Sequence, residues 1–259
     1  MTTASQQTPD LRDQVSPEEW AARIDLAAAY RLVAHYGWDD LIFTHLSARV
    51  PGPEHHFLIN DYTLMFDEIT ASNLVKIDLD GNKVGDAPGA VNRAGFVIHS
   101  AIHAAREDAL AVIHLHTPHG QAVSAMKEGL LPHTQTAMIA HHDVAYHDHE
   151  GIADALDERE RIVADLGEKN ALILRNHGTL TVGSSVAEAF VRMYFLERAC
   201  EAQVLMLSTG RAGLNDPPAE AVETVKAQAR SPQARMIAEH VAWPALRRKL
   251  DRIDPGYRD

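Results

Sequence analysis

The sequence contains one cysteine, Cys200, so the chain cannot form an intramolecular disulfide. This is typical of proteins from a reducing compartment. No run of about 18 consecutive apolar residues is present, so we predict no membrane span. The first fourteen residues are polar and lack an apolar core, so we expect no secretory signal. We therefore predict a cytoplasmic protein.

Positive charge is also scarce. The 259 residues include 24 Lys and Arg against 36 Asp and Glu, which gives a net charge of −12 with neutral histidine. Because no basic stretch stands out, neither nucleic acid nor an anionic membrane surface is an expected partner. An anionic substrate would need a metal ion or a few well-placed arginines. The hydrophobic fraction of 46% is enough for a large core.

The apolar pattern predicts strands and helices that alternate along the chain, and therefore an α/β fold. A capping box at Ser16 and Glu19 opens a first helix that ends at Gly37. The predicted strands lie within 42–50, 55–60, 74–84, 109–116 and 170–183. Further helices are predicted within 92–108, 152–167 and 185–206, after Thr117-Pro118, and twice near the C-terminus. The histidine-rich segment 132–151 is expected to be irregular or strand-like.

The predicted elements divide the chain into three parts. Residues 1–15 are polar and are expected to form a mobile arm. Residues 16–210 hold the interleaved strands and helices. Residues 211–259 include the break "GLNDPP" and are predicted to form a helical tail, packed on the same domain or on a neighbouring subunit.

Sixteen histidines are the unusual feature of the composition. In "AVIHLHTPHG", residues 111–120, His114 and His116 end a predicted buried strand. Residues i and i+2 of a strand share a face, so the two imidazoles project together and suit zinc or a neighbouring first-row metal. Catalytic zinc commonly has three protein ligands, and His177 in "LRNHGTL" is the best third candidate. Core packing with local hydrogen bonds stays open as the alternative.

The other histidines have simpler interpretations. His119 is predicted to lie in the helix that Thr117 opens. His99 and His103 are four residues apart on one helix face, and we expect them to pack or hydrogen-bond behind the site. The run 141–149 could hold a second metal, but a solvated edge or a subunit contact is favoured.

At these residues the sequence resembles the class II aldolase/adducin family. The resemblance covers about 16–210, and it is closer to the adducin-like bacterial branch than to the sugar aldolases. An HxH pair followed some sixty residues later by NHG is the family's metal pattern. The stretches that carry the resemblance are "LIFTHLSARV", "FLINDYTLMFDEITASNLVKIDLDGN", "AGFVIHSAIHAAREDALAVIHLHTPHGQAVSAM", "LLPHTQTAM", "VAYHDHEG" and "LILRNHGTLTVGSSVAEAFVRMYFLERACEAQV".

The resemblance implies a three-layer α/β/α fold with a central, largely antiparallel sheet. It also implies a homotetramer with active sites at subunit interfaces. Family enzymes hold Zn²⁺, sometimes Mn²⁺ or Co²⁺, through three histidines, which by motif are His114, His116 and His177. Members include sugar-phosphate aldolases, an epimerase, decarboxylases and the non-catalytic head of adducin.

The sequence departs from the aldolase pattern at the acid/base position. The aldolases carry a Glu nineteen residues before the first histidine of the pair, and here that residue is Gly95. Positions that bind phosphate in the family also differ, so a sugar-phosphate substrate is disfavoured. The residues that stand at those positions are Thr44-His45, Tyr62-Thr63, Arg93-Ala94 and Gln135 or Thr136.

Other residues must then carry the proton transfers and bind the substrate. The candidates for proton transfer are His45, Tyr146 and Tyr257, the last because family tails can close over a neighbouring subunit's site. Buried hydrogen bonding or ordinary packing is the alternative for each. The candidates for substrate binding are Asn92, Gln135 and Arg93, whose guanidinium could pair with a carboxylate.

The sequence therefore predicts a metal-dependent C–C lyase. The expected reaction is retro-aldol cleavage of a non-phosphorylated hydroxy-carbonyl or hydroxy-acid substrate, aromatic ones included. Decarboxylation of a hydroxy-aromatic or keto acid is the alternative within enzymes, and an adducin-like interaction module is the alternative outside them.

Overall fold

The computed structural model describes residues 11–85, 89–151 and 158–259, with the backbone alone at 93–96. Most of the predicted N-terminal arm lies outside the described residues, as does the first part of the helix predicted over 152–167. Within the predicted arm, Leu11–Asp13 forms a short 3₁₀ turn.

One seven-stranded sheet forms the centre of the described chain. Its order is β3-β2-β1-β4-β7-β6-β5. All neighbours are antiparallel except β5 and β6, which are parallel. The strands are β1 (His45–Arg49), β2 (Phe57–Ile59), β3 (Val75–Ile77), β4 (Ala111–Leu115), β5 (Val144–His147), β6 (Ala171–Leu174) and β7 (Gly178–Gly183).

Helices cover both faces of this sheet. They are α1 (Pro17–His35), α2 (Arg93–Ala105), α3 (Pro118–Ser124), α4 (Gln135–His141), α5 (Glu158–Leu166), α6 (Val186–Leu207), α7 (Ala219–Ala229), α8 (Pro232–Ile237) and α9 (Trp243–Ile253). A π-helical turn at Ala238–Ala242 joins α8 to α9. Among the described residues, no helix combines the length and the apolar character needed to cross a bilayer.

Strand alternation sends successive side chains to different layers. On β4, Ile113 and Leu115 pack in one core with α1, α6 and α9. Val112 points to the opposite face and packs with α2 and α5. His114 has the same parity as Val112, so it lies on the α2 face of the sheet. The prediction of a three-layer α/β/α fold with a largely antiparallel sheet is confirmed.

The segment 132–151 differs from its prediction, because Gln135–His141 within it is helical. Thr134 accepts a hydrogen bond from the Ala137 backbone N–H at 3.1 Å and caps α4. Ala137 and Met138 are buried, and α4 packs on α6. The helix α4 was not predicted, because its apolar stripe spans only two turns and is interrupted by polar residues. Val144–His147 forms β5, in agreement with the strand-like part of the prediction.

At the start of α1, the predicted capping box forms only in part. Ser16 accepts from the Glu19 N–H at 3.1 Å, as expected of an N-cap. The Glu19 carboxylate, however, binds Arg23 at 2.9 Å and Lys76 at 2.8 Å. Two cations attract a carboxylate more strongly than one backbone amide does, so Glu19 ties α1 to β3.

The C-terminal segment completes the core beside α1. Trp243, Leu250 and Tyr257 are buried in the same cluster as the inner face of α1. Arg31 pairs with Asp254 at 2.7 Å. Where two C-terminal helices were predicted, the described chain has α7, α8 and α9, because the π-helical turn divides the second from the third.

Candidate metal centre

Three histidines converge where β4 ends and the β6–β7 turn begins. His114 is on β4, His116 follows it, and His177 lies in the turn. One ligand nitrogen from each lies within 4.8 Å of the others. The ring centroids are 4.7–4.8 Å apart. Among the described residues, this is the one group of three or more His, Cys, Asp or Glu side chains that comes together in this way.

The backbone of the turn is shaped to admit the third ring. Asn176 has a φ of +56°, a left-handed conformation that Asn tolerates better than most residues. A Cβ on Gly178 would lie 2.5 Å from the Leu115 carbonyl oxygen and 3.1 Å from Cδ2 of His116. A side chain at Gly178 would therefore push β7 away from the site, so glycine is needed here for close approach.

Hydrogen bonds fix which nitrogens carry protons. Nδ1–H of His114 donates to the Thr179 carbonyl oxygen at 3.0 Å. Nδ1–H of His116 donates to the Asp40 carboxylate at 3.2 Å. In neutral rings both Nε2 atoms are then lone-pair acceptors, and they face each other at 3.0 Å. Two lone pairs at this distance repel, and a cation between them would satisfy both.

The three rings are held in the neutral form that metals bind. Burial, followed by the neighbouring His177 and His116, lowers the pKa of His114 well below its usual range. Burial also lowers the pKa of His116, although Asp40 opposes the shift. Burial and then His116 lower the pKa of His177 to about 4. The donor set and its hydrogen bonds therefore fit a divalent metal.

A sequence model described as the Class II Aldolase and Adducin N-terminal domain matches residues 24–204. The chain belongs to this family. A Caulobacter vibrioides protein named for aldolase class 2 is 59% identical over 252 residues, 97% of each chain. Mus musculus alpha-adducin is 50% identical over 192 residues, which are 72% of this chain but 26% of the adducin. The solved L-fuculose 1-phosphate aldolase from Glaciozyma antarctica is 30% identical, with a TM-score of 0.81 and 93% of each chain covered.

At the position of the aldolases' acid/base Glu, this family member has Gly95 in the first turn of α2. His99 follows four residues later, and residues four apart share a helix face. His99 is 2% exposed, and its ring centroid lies 4.2 Å from that of His45. The structure thus has imidazoles, rather than a carboxylate, along this face of α2.

Of the residues predicted to transfer protons, His45 lies beside the three histidines. Its Cα pairs with that of His114 across the β1–β4 ladder, so both side chains leave the same face of the sheet. The ring centroids of His45 and His114 are 5.8 Å apart. His45 is 4% exposed, so its ring is buried beside the three histidines.

Tyr146 has contacts away from the three histidines. Its hydroxyl accepts a hydrogen bond from the Leu130 N–H at 3.0 Å. Its ring lies under the Arg175 guanidinium at 4.3 Å and against Gly129. These contacts account for Tyr146 as a packing residue beneath α3 and α4.

Tyr257 is also placed elsewhere. Its ring is fully buried in the core beside α1. Its hydroxyl donates to Asp251 at 2.8 Å, and its carbonyl accepts from the Ala71 N–H. The Tyr257 side chain is thus enclosed by its own subunit, and its role in proton transfer stays a prediction.

The predicted substrate-binding residues lie at the starts of α2 and α4. Asn92 is half-buried directly before α2. The side chain of Arg93 lies outside the described residues. Gln135 is exposed in the first turn of α4.

The sequence did not predict two residues of the site, Asp40 and Thr179. Asp40 precedes β1 by five residues and is 76 residues from His116, so no local pattern links the two. Thr179 contributes its backbone carbonyl, which any residue could supply. Only the register of β4 against β7 places that oxygen opposite His114.

Proposed function

We propose that this chain is a metal-dependent C–C lyase that cleaves a non-phosphorylated hydroxy-carbonyl or hydroxy-acid substrate by a retro-aldol reaction. The observation that carries the proposal is the pair of Nε2 lone pairs 3.0 Å apart, with the His177 ring completing the group. Three neutral imidazoles leave room for a substrate in the coordination of a catalytic metal. Membership of the class II aldolase family supports a divalent metal at this site.

His114, His116 and His177 would hold the metal, with Zn²⁺ as the proposed ion and Mn²⁺ or Co²⁺ as alternatives. When bound, a divalent cation supplies Lewis-acid stabilisation of the negative charge that develops as the C–C bond breaks. Asp40 and the Thr179 carbonyl keep two of the rings in the required tautomer. Such hydrogen bonds to ligand histidines orient the rings and raise their basicity.

His45 is the proposed proton-transfer residue. In retro-aldol cleavage the substrate hydroxyl loses its proton, the C–C bond breaks, and the carbonyl fragment keeps the electron pair until its carbon is protonated. His45 does not need to be charged for this role, because a neutral imidazole can accept the hydroxyl proton through its lone pair. Its position one strand from His114 supports this role.

The departures from the aldolase pattern support a substrate without phosphate. Asn92 and Arg93, at the start of α2, are proposed to contact its polar groups, and Gln135 is a further candidate. A carboxylate on the substrate would suit Arg93, since guanidinium and carboxylate can form paired hydrogen bonds. Decarboxylation is the alternative reaction, because it needs the same electron sink and less base catalysis.

An adducin-like interaction module is the second candidate function. The observation that favours it is the 50% identity to alpha-adducin, which exceeds the 30% identity to the fuculose phosphate aldolase. A scaffold, however, has no chemical need for three converging imidazoles, unless the ion serves structure alone. We also propose that the chain is cytoplasmic and forms a homotetramer with active sites at subunit interfaces. Sedimentation of the purified chain would test the tetramer.

The test is metal analysis together with a matched pair of histidine variants. Protein purified without a histidine tag should contain about one metal per chain. His116→Ala should lose both the metal and the release of aldehyde from hydroxy acids, while its circular dichroism and assembly stay unchanged. His35→Ala, at an exposed histidine at the end of α1, should retain both.

The outcomes separate the candidate functions. Release of CO₂ instead of aldehyde would favour the decarboxylase. Metal-free wild-type protein with normal assembly would contradict any metal-dependent lyase. Collapse of assembly in His116→Ala, without turnover by the wild type, would favour a structural ion in an interaction module.

A further inference from the structure

A buried chain of hydrogen bonds runs between α2 and β1, next to the three histidines. Nδ1 of His99 lies 2.6 Å from the Ser47 hydroxyl, which lies 2.8 Å from Nε2 of His103. Nδ1 of His103 lies 2.7 Å from the Ala109 carbonyl oxygen. Ser47, His99 and His103 are each no more than 2% exposed. The lyase mechanism proposed above does not use any of them.

This chain can point in one direction only. The Ala109 carbonyl cannot donate, so Nδ1 of His103 carries a proton. Burial lowers the pKa of His103 to about 4, and the ring is neutral, so its Nε2 accepts from the Ser47 hydroxyl. Ser47 Oγ must then accept from Nδ1–H of His99. Nε2 of His99 is therefore left as a lone pair.

That lone pair ends the chain beside His45. Among the described residues, Nε2 of His99 is buried and has no hydrogen-bond partner. A buried acceptor without a partner is costly and uncommon in proteins. The His45 ring is tilted by 49° against the His99 ring at 4.2 Å between centroids. His45 therefore packs directly against the ring at the end of this chain.

We propose that Ser47, His99 and His103 form a positioning device that selects the tautomer of His45. In this arrangement one ring nitrogen of His45 donates to Nε2 of His99, and its other nitrogen presents a lone pair toward the substrate. The proposal rests on the lyase function, because it assigns His45 an acceptor role there. Residue 95 is glycine and offers no carboxylate. The residues that orient His45 are therefore His99 and His103, one and two turns beyond Gly95.

The test compares two substitutions at His99 that differ in one hydrogen-bonding group. His99→Asn can still donate to Ser47 but lacks an acceptor at the far end, whereas His99→Gln can place an amide oxygen there. Zinc-loaded proteins labelled with ¹⁵N-histidine would be compared by solid-state ¹⁵N NMR, with the His45 signals assigned by their loss in His45→Gln. Ser47→Ala, which uncouples His99 from His103, is a third variant.

We expect a single His45 tautomer in the wild type and in His99→Gln. In His99→Asn and Ser47→Ala we expect a mixture, with zinc content unchanged and kcat lowered about 100-fold at a similar KM. The same single tautomer in all four proteins would overturn the proposal. Lack of any turnover by the wild type would contradict the lyase function instead, since the tautomer measurement does not depend on activity.

Discussion

At the residue scale, the site depends on contacts that short-range patterns indicate only in part. Spacing along one strand was enough to place His114 and His116 on the same face. The role of Gly178 follows from the approach of a second strand, since its missing Cβ makes room for the Leu115 carbonyl and the His116 ring. Asp40 could not be found from sequence, because its contact with His116 arises only when the chain folds.

Gly178→Ala should disturb both folding and metal binding. The added Cβ would meet a backbone carbonyl at 2.5 Å, so β7 must shift. Overpacking of this kind costs roughly 1–3 kcal/mol of unfolding free energy. Zinc affinity should fall as well, because His177 moves with the strand. Gly213→Ala, in an exposed turn with an open environment, is the matched control. Equal zinc affinity and stability in the two variants, measured by titration and urea unfolding, would show that the close approach is unimportant.

His103 should make the folded chain sensitive to acid. Burial lowers its pKa from 6.5 to about 4. Between those pH values the unfolded chain binds a proton that the folded chain does not, so the free energy of unfolding falls as the pH drops. Above pH 6.5 the titration of His103 leaves the free energy of unfolding unchanged. At pH 4 it lowers that free energy by roughly 3 kcal/mol.

His103→Asn should remove this part of the acid sensitivity, since its amide can still donate to the Ala109 carbonyl but does not titrate. Urea unfolding from pH 7 to pH 4, with a chelator present so that metal release plays no part, would measure the slope. An unchanged slope in the variant would mean that His103 is not buried as a neutral ring.

At the element scale, the strands and long helices could be predicted because their apolar periodicity is local. Ser16, Thr117 and Ser185 each cap a helix where the sequence placed one. The helix α4 was missed because its apolar stripe is short. Sheet order was equally out of reach of local patterns: β1 pairs with β4 across more than sixty residues, and β5 joins β6 in parallel.

Loss of the Thr117 hydroxyl should lower the free energy of unfolding more than loss of an ordinary helix cap does. Its hydroxyl accepts from the Gly120 N–H at 3.0 Å and donates to the buried carboxylate of Glu197. Burial raises the pKa of Glu197, and the Thr117 bond opposes the shift. Thr117→Ala should therefore cost the cap, ~1 kcal/mol, and also the hydrogen bond to Glu197, ~1–3 kcal/mol.

Thr134→Ala is the control for this prediction, because Thr134 caps α4 in the same way and should cost ~1 kcal/mol. Thr117→Ala should also weaken zinc binding, since residue 117 follows the ligand His116 directly. Urea unfolding and zinc titration would measure both effects, and equal losses in the two variants would exclude a special role for Glu197.

At the scale of the whole molecule, the three histidines join parts of the chain that are distant in sequence. The β4 strand end and the β6–β7 turn meet there, and the loop before β1 contributes Asp40. An ion bound to all three rings would therefore stabilise the fold as well as activate a substrate, because it binds only the folded chain. The division into a domain at 16–210 and a tail at 211–259 stays a prediction, while Trp243 and Leu250 lie in the same core as α1.

X-ray absorption of the purified, untagged protein, recorded at the zinc, manganese and cobalt edges, tests the central claim most directly. The account predicts one zinc per chain with three imidazole ligands at about 2.0–2.1 Å and a fourth position filled by a light atom from water or substrate. Adding a hydroxy acid that the enzyme cleaves should change that fourth ligand and leave the imidazoles in place. A chain without zinc, manganese or cobalt, or a metal enclosed by four protein ligands, would contradict the account.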